Sequence, residues 1–279
     1  MKKQSIVSLA LLTSLFFCNF SFAGGNTSNK SEVPWETFNL NLGVFFSAID
    51  SSIGAGVNNV GIDVDLEEAL GLDTSTTAFR IDAFWRFTDN KRHRFDFSWF
   101  DIKRDSSKTL SKDIEIGGEV FPIGTTLEST LDFKIFKGSY SYSFFQDDRF
   151  DFGVSLGLYV IPIEYDFKST TGQRQEADSI TAPLPVIGLR GDFAITPKLF
   201  LKSYIDMFYL ELDDYEGHIW NFHVALEYNV FKNVGFGLGF DHLEVDVEAH
   251  KDTDIPGVNF NGNINFLYTG VLIYTKIYF

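Results

Sequence analysis

The chain has one cysteine in 279 residues, Cys18, and it lies near the N-terminus. Disulfides, zinc–thiolate centres and thiol catalysis are therefore excluded from everything that follows it. Basic side chains are scarce, with 23 Lys and Arg against 38 Asp and Glu and a formal charge of −15. That balance excludes nucleic acid as a partner, since binding a polyanion needs a basic face. Beyond the N-terminal segment there is no continuous apolar run of the ~18 residues that a transmembrane helix requires.

The N-terminal segment reads as a secretory leader. Lys2 and Lys3 form a basic start, Ile6 to Phe17 an apolar stretch too short to span a bilayer, and Ser21-Phe22-Ala23 a small-x-small cleavage site. Residue 17, before Cys18, is Phe rather than the small residue a lipid anchor needs. Residues 1–23 are thus expected to be removed, 24–35 to form a loose periplasmic lead-in, and 36–279 to form one domain. Removing Lys2 and Lys3, with no acid lost, takes the charge from −15 to −17.

What the chain does have is aromatic residues, 16% of the total, including 31 Phe and 11 Tyr. They alternate. In the last thirteen residues, Phe279, Ile277, Thr275, Ile273, Val271, Thr269 and Leu267 share one face, and Tyr278, Lys276, Tyr274, Leu272, Gly270 and Tyr268 share the other. Such a strand suits lipid on one side and a polar lumen on the other. Ending in Phe279, it resembles the final strand of a Gram-negative outer-membrane barrel, and the resemblance implies recognition by the barrel-assembly machinery. Nine earlier segments show the same alternation. Tight turns at 89–91, 146–148, 196–198 and 231–233 alternate with long polar loops. The expected fold is an all-β, transmembrane up-and-down antiparallel β-barrel of about ten strands, with Trp85, Phe97 and Phe222 facing lipid. Twelve strands result if the first or second long loop hides a membrane hairpin. A soluble sandwich or lipocalin-like barrel would instead bury these faces and expose Arg80, Asp82 and Arg94.

Three stretches, Gly61-Ile62-Asp63-Val64-Asp65-Leu66-Glu67, Phe121-Pro122-Ile123-Gly124-Thr125-Thr126 and Ala182-Pro183-Leu184-Pro185-Val186-Ile187-Gly188-Leu189-Arg190-Gly191, resemble a widespread, largely uncharacterised family of proteobacterial outer-membrane proteins. The resemblance implies a fold and a location, the Gram-negative outer membrane with its lipid and lipopolysaccharide, but no activity. Function must come from the residues.

The inward parity places Arg80, Asp82, Arg86, Arg94, Asp96, Arg190, Asp192, Lys202, Asp206 and Glu227 in the lumen. Both signs are present, which points to a paired-charge plug, with an ion or proton path as the alternative. Farther out the same parity carries Phe45, Phe100, Tyr159, Ile161, Leu184, Val186 and Phe208. That set reads as packing of the barrel mouth or as a pocket for a small hydrophobic molecule. Counted from Phe150, Pro162 lies roughly 25–30 Å up a tilted strand, near the outer lipid boundary, and Pro183 and Pro185 lie early in the next strand. A hairpin centred between Gln173 and Arg174 would set Pro162 opposite Pro185, breaking the ladder there as a lateral seam. The first long loop carries its own apolar residues, including Leu66, Leu70 and Leu72, and can fold over the mouth.

Catalysis finds little support, and no catalytic, metal or cofactor site is assigned. No His-x-Ser pair is present, and the acidic runs lack the glycine and terminal Glu of a calcium loop. A ten-strand barrel resembles the omptin proteases, whose rim carries Asp–Asp and Asp-x-His pairs. Here Asp213, Asp214 and His218 cluster in one loop region, but Asp241 and His242 are adjacent and point to opposite faces. The reading favoured is a barrel that binds or passes small hydrophobic molecules, against a structural or adhesive surface barrel or an omptin-like hydrolase.

Overall fold

A computed structural model describes residues 34–55, 62–116, 119–170, 175–212, 215–249 and 262–279. The leader and residues 24–33 of the lead-in lie outside the described residues. Ten long strands form the wall: β1 (Phe38–Ala55), β3 (Ser75–Arg86), β4 (His93–Thr109), β7 (Thr126–Gln146), β8 (Phe150–Ser169), β9 (Gln175–Ala194), β10 (Leu199–Leu212), β11 (Tyr215–Asn229), β12 (Val234–Ala249) and β13 (Gly262–Tyr278). Each pairs antiparallel with its neighbour, and β1 pairs with β13 from Asn39↔Tyr278 to Gly54↔Asn263, closing the sheet. Closure leaves neither the first nor the last wall strand with a free edge, which is what a strand-built wall in lipid requires.

The elements of the first two long loops add no wall strands. β2 (Ile62–Asp65) pairs only with β1, and β5 (Ile114–Ile116) pairs with β6 (Glu119–Phe121) in a separate two-stranded sheet. The barrel therefore has ten strands rather than twelve. One short helix, α1 (Leu66–Leu70), follows β2. It starts where the Asp65 side chain accepts from the Glu68 amide, and stops at Gly71, whose φ of 73° is open to glycine at little cost.

The two faces of the wall follow the alternation. Trp85 and Phe97 are about half exposed, as are Phe236 and Ile273, whereas their sequence neighbours Arg86, Gly237 and Tyr274 are buried. Phe222 faces the same way. The apolar exterior forms a band and then ends: on β7 it passes from Phe136 to Lys134 and Asp132, on β8 from Leu158 to Glu164, and on β12 from Phe240 to Glu244 and Asp246. The strands thus run on past the apolar band as a charged collar.

The turns at the opposite end are tight. Asp147 Oδ1 accepts from the amides of Arg149 and Phe150 at 2.7 Å each, and Thr196 Oγ1 from those of Lys198 and Leu199. Trp35 is buried inside this mouth. Its Nε1 donates to the Asp147 carbonyl at 2.8 Å, its ring packs on Phe200, and its carbonyl accepts from Lys91 Nζ at 2.6 Å. The last residue of the expected lead-in is therefore part of a stopper.

Candidate functional site

The interior has two storeys. The lower one is ionic. Asp192 Oδ2 lies 3.0 Å from Arg190, 3.2 Å from Arg94 and 3.4 Å from Arg86. Asp151 bridges Arg86 at 2.6 Å and Arg190 at 3.0 Å, so two carboxylates hold three guanidinium groups. Arg94 also pairs with Asp96, and Arg80 lies 3.0 Å from both Asp82 and Asp241. Lys276 joins Glu36 to Glu227, and Lys202 stands 3.6 Å from Glu36 and from Asp192. Lys137 pairs with Asp206. All ten residues assigned to the lumen from their parity lie in this storey. Mutual pairing is what allows so many charges to sit away from bulk water.

Glu36 sits at the mouth, ahead of β1. Burial alone would push its carboxyl pKa up, but Lys202 and Lys276 outweigh that and hold it at about 2. Above it lies a polar chamber of about 90 Å³, bordered by Asn39, Asn41, Ser98, Lys202, His223 and Glu227 among others. That is above the threshold of about 10–15 Å³ at which a cavity can hold a water. Among the chamber's polar atoms, both amide atoms of Asn39, Asn41 Oδ1, Ser98 Oγ and Lys202 Nζ have no protein hydrogen-bond partner. Water fits these groups.

Sequence reading missed Asp241, His223, Lys137 and Glu36 as members. Asp241 Oδ2 lies 2.7 Å from His223 Nδ1, and its other oxygen accepts from Tyr268 at 2.9 Å. The signal was present, because Asp241 has the parity opposite to Phe236, Leu238 and Phe240. As the alternation requires, His242 points the other way and bonds Thr269. Asp213 and Asp214 lie outside the described residues, and His218 pairs in register with Asp246 on the collar.

The upper storey is apolar. Phe45, Phe100, Tyr159, Ile161, Leu184 and Val186 are at most 2% exposed and belong to one cluster, with Phe208 and Leu210 packed against it half-buried. Phe45, Phe100 and Tyr268 meet edge to face, with ring centroids 5.2–5.7 Å apart. Leu66, Leu70 and Leu72 from the first loop are buried in the same cluster. The loop is pinned by Glu67, which accepts from Ser51 N at 3.0 Å and Ser51 Oγ at 2.8 Å and pairs with Arg104.

The prolines behave differently from expectation. Pro162 pairs with Thr181 and Pro185 with Leu158, so Pro162 does not face Pro185. The pairing runs from Phe150↔Phe193 to Lys168↔Gln175, a register four residues from the expected one. An even shift keeps every side chain on its face, so the hydrophobic pattern cannot detect it. The β8–β9 ladder runs unbroken past all three prolines, and the gaps fall on its two outer flanks. Pairing of β7 with β8 skips from Phe136↔Val160 to Phe133↔Ile163, passing over Pro162. Pairing of β9 with β10 runs from Phe200↔Ala194 to Met207↔Ile187 and stops there. Continued, the ladder would set Phe208 against Val186, Tyr209 against Pro185 and Glu211 against Pro183, and neither proline has an N–H to donate. Yet β9 includes twelve further residues, Gln175 to Val186, and β10 five, Phe208 to Leu212. The wall is split between β9 and β10 at the upper edge of the apolar band. Leu184, Val186, Phe208 and Leu210 stand at the split.

No family model and no curated protein matches the chain. Among solved structures, it is similar to the outer membrane protease OmpT from Escherichia coli, at 11% identity over 86% of this chain and 97% of that one, with a TM-score of 0.51. It also matches Ail, the attachment invasion locus protein of Yersinia pestis (9% identity, 85% and 98% covered, TM-score 0.37), and the P. putida toluene transporter TodX (9%, 87% and 90%, TM-score 0.33). The OmpT likeness is one of fold, an outer-membrane β-barrel. The other two scores are too low to bear on the argument.

Proposed function

We propose that this chain is an integral outer-membrane barrel that admits small apolar molecules sideways, through the β9–β10 split, into its apolar upper storey. The observation that carries this reading is the end of the β9–β10 ladder at Met207↔Ile187, well short of the ends of both strands. The β3–β4 ladder also stops early, at Arg80↔Phe100, but there the first loop's Leu70 carbonyl and Glu67 side chain bond to Ser106 and Arg104 of β4. An unpaired seam is costly in hydrocarbon but tolerable at its edge, and the β9–β10 seam sits where the apolar exterior ends. It leads onto apolar side chains, and each Å² of apolar surface taken from water contributes about 25 cal/mol. The ionic lower storey blocks a straight path below, so sideways admission does not need an open pore.

The test uses an apolar aryl diazirine, photoactivated with the barrel in lipid nanodiscs. Labelling is expected at Leu184 and Val186 as well as on the exterior at Ile187. Cysteines at Pro185 and Tyr209, which would form the next outward-facing rung, are joined by a disulfide or short crosslinker. Stapling should abolish interior labelling and spare Ile187. Interior labelling that is absent in the open protein, or indifferent to the staple, would overturn the reading. A second reading is a surface barrel that carries nothing inside. The edge-to-face packing of Phe45, Phe100 and Tyr268 favours it, and the same labelling pattern separates the two.

A further inference from the structure

The rung directly below the split is polar. On the inward face of β9, β10 and β11, Gly188, Asp206 and Asn221 stand side by side in register. One inward step higher, Phe208 faces Ile219 across the β10–β11 ladder, and above Gly188 on β9 comes Val186. Tyr159, opposite Leu184 on the β8–β9 ladder, reaches across to this polar rung. Its hydroxyl donates to Asp206 Oδ2 at 2.9 Å and accepts from Asn221 Nδ2 at 2.9 Å.

This chain of bonds fixes the orientation of the Asn221 amide. Asp206, held by Lys137, is an acceptor only, so the single Tyr159 proton goes to it. The tyrosine oxygen is then an acceptor, and only the NH₂ end of Asn221 can face it. Asn221 Oδ1 therefore points elsewhere, and it has no partner although the residue is 2% exposed. Asn221 is also not among the residues that line the polar chamber below. A buried carbonyl oxygen left without a donor is costly, and a donor supplied by a ligand recovers that cost.

Resting on the reading above, we propose that the molecule admitted at the split is an apolar one with a single uncharged hydrogen-bond donor, a phenol or alcohol, whose hydroxyl is donated to Asn221 Oδ1 while its apolar body lies among Val186, Phe208 and Ile219. The neighbouring Asp206 carboxylate selects against an anionic head. A plain hydrocarbon would meet the same apolar side chains but leave Oδ1 unpartnered, and a site with an unmet acceptor discriminates against a ligand that lacks the donor.

Three matched probes test this: naphthalene, 1-naphthol and 1-naphthoate, each competing with diazirine labelling of Leu184. In the native protein 1-naphthol should compete at a concentration about tenfold lower than naphthalene, and 1-naphthoate should be the weakest. In Asn221→Leu the first two should come within about twofold of each other. The native ranking needs no variant, so a poorly folding substitution does not blunt the test. Equal competition by naphthol and naphthalene, strongest competition by the carboxylate, staple-sensitive labelling that no probe reduces, or an unchanged preference in Asn221→Leu would each overturn the donor assignment while leaving lateral admission standing. Loss of staple-sensitive labelling itself would instead overturn the lateral reading and the donor assignment with it.

Discussion

Two seams of this barrel differ in a way that chain distance does not explain. β1 and β13 lie at opposite ends of the domain, yet they pair over sixteen rungs. β9 and β10 are joined by a short turn, yet they pair over eight. Composition accounts for the contrast. The long seam carries Gly43 and Gly270, where a Cβ would lie 2.7 Å from the Ile273 carbonyl oxygen and 2.5 Å from that of Phe46. Only glycine lets the strands come that close. The short seam ends where Pro185 and Pro183 remove the donors. Glycine closes one seam and proline opens the other.

The largest effect should come from below the short seam. Asp192 pairs with Lys202 in its surviving ladder and faces three guanidinium groups. Asp192→Leu should cost about 3–5 kcal/mol, since it strands buried cations, and should abolish heat-resistant electrophoretic mobility. Retained mobility would mean the ionic storey does not hold the wall. Next is the long seam. Gly270→Val should cost about 1–3 kcal/mol in urea unfolding by forcing β13 off β1, and no loss would break the glycine half of the comparison. The proline half is smaller. Pro183→Val with Pro185→Val should let the ladder grow upward, adding about 1 kcal/mol and lowering diazirine labelling of Leu184. Unchanged labelling would show that the prolines do not set the opening.

The last prediction concerns the mouth. The Glu36 pKa lies at about 2 in the folded chain against 4.5 ordinarily. A lowered carboxyl pKa adds stability that is full above 4.5 and is lost as pH falls toward 2. Unfolding free energy measured across that window should therefore decline with acid in the native protein and decline less in Glu36→Gln. Parallel curves would remove Glu36 from the seal.

The alternation of Phe236, Leu238 and Phe240 against Asp241 and Leu243 made the wall legible, because period two is a local property. The same parity put Arg86, Arg190 and Asp192 inside and gathered Phe45, Phe100 and Leu184 above them. Register was not legible, since slipping β8 against β9 by four leaves every face unchanged. The direction of each proline's missing donor was hidden for the same reason: Pro183 and Pro185 announce a broken ladder but not which neighbour loses it. Trp35 was passed over because it follows a polar stretch with no period, and its burial depends on Asp147, Lys91 and Phe200, far away in the chain. Asn221 became notable only once Tyr159 was seen to use its single proton on Asp206.

The stopper at the tight-turn mouth has a consequence for assembly. Glu36 stands just ahead of the first strand and is held by Lys276 in the last, 240 positions later. Trp35 meanwhile needs the turn after β7 and the start of β10. These partners coexist only when the whole wall is present. The opening residues of the domain are thus the last to find their places, and their docking reports that the final strand has arrived.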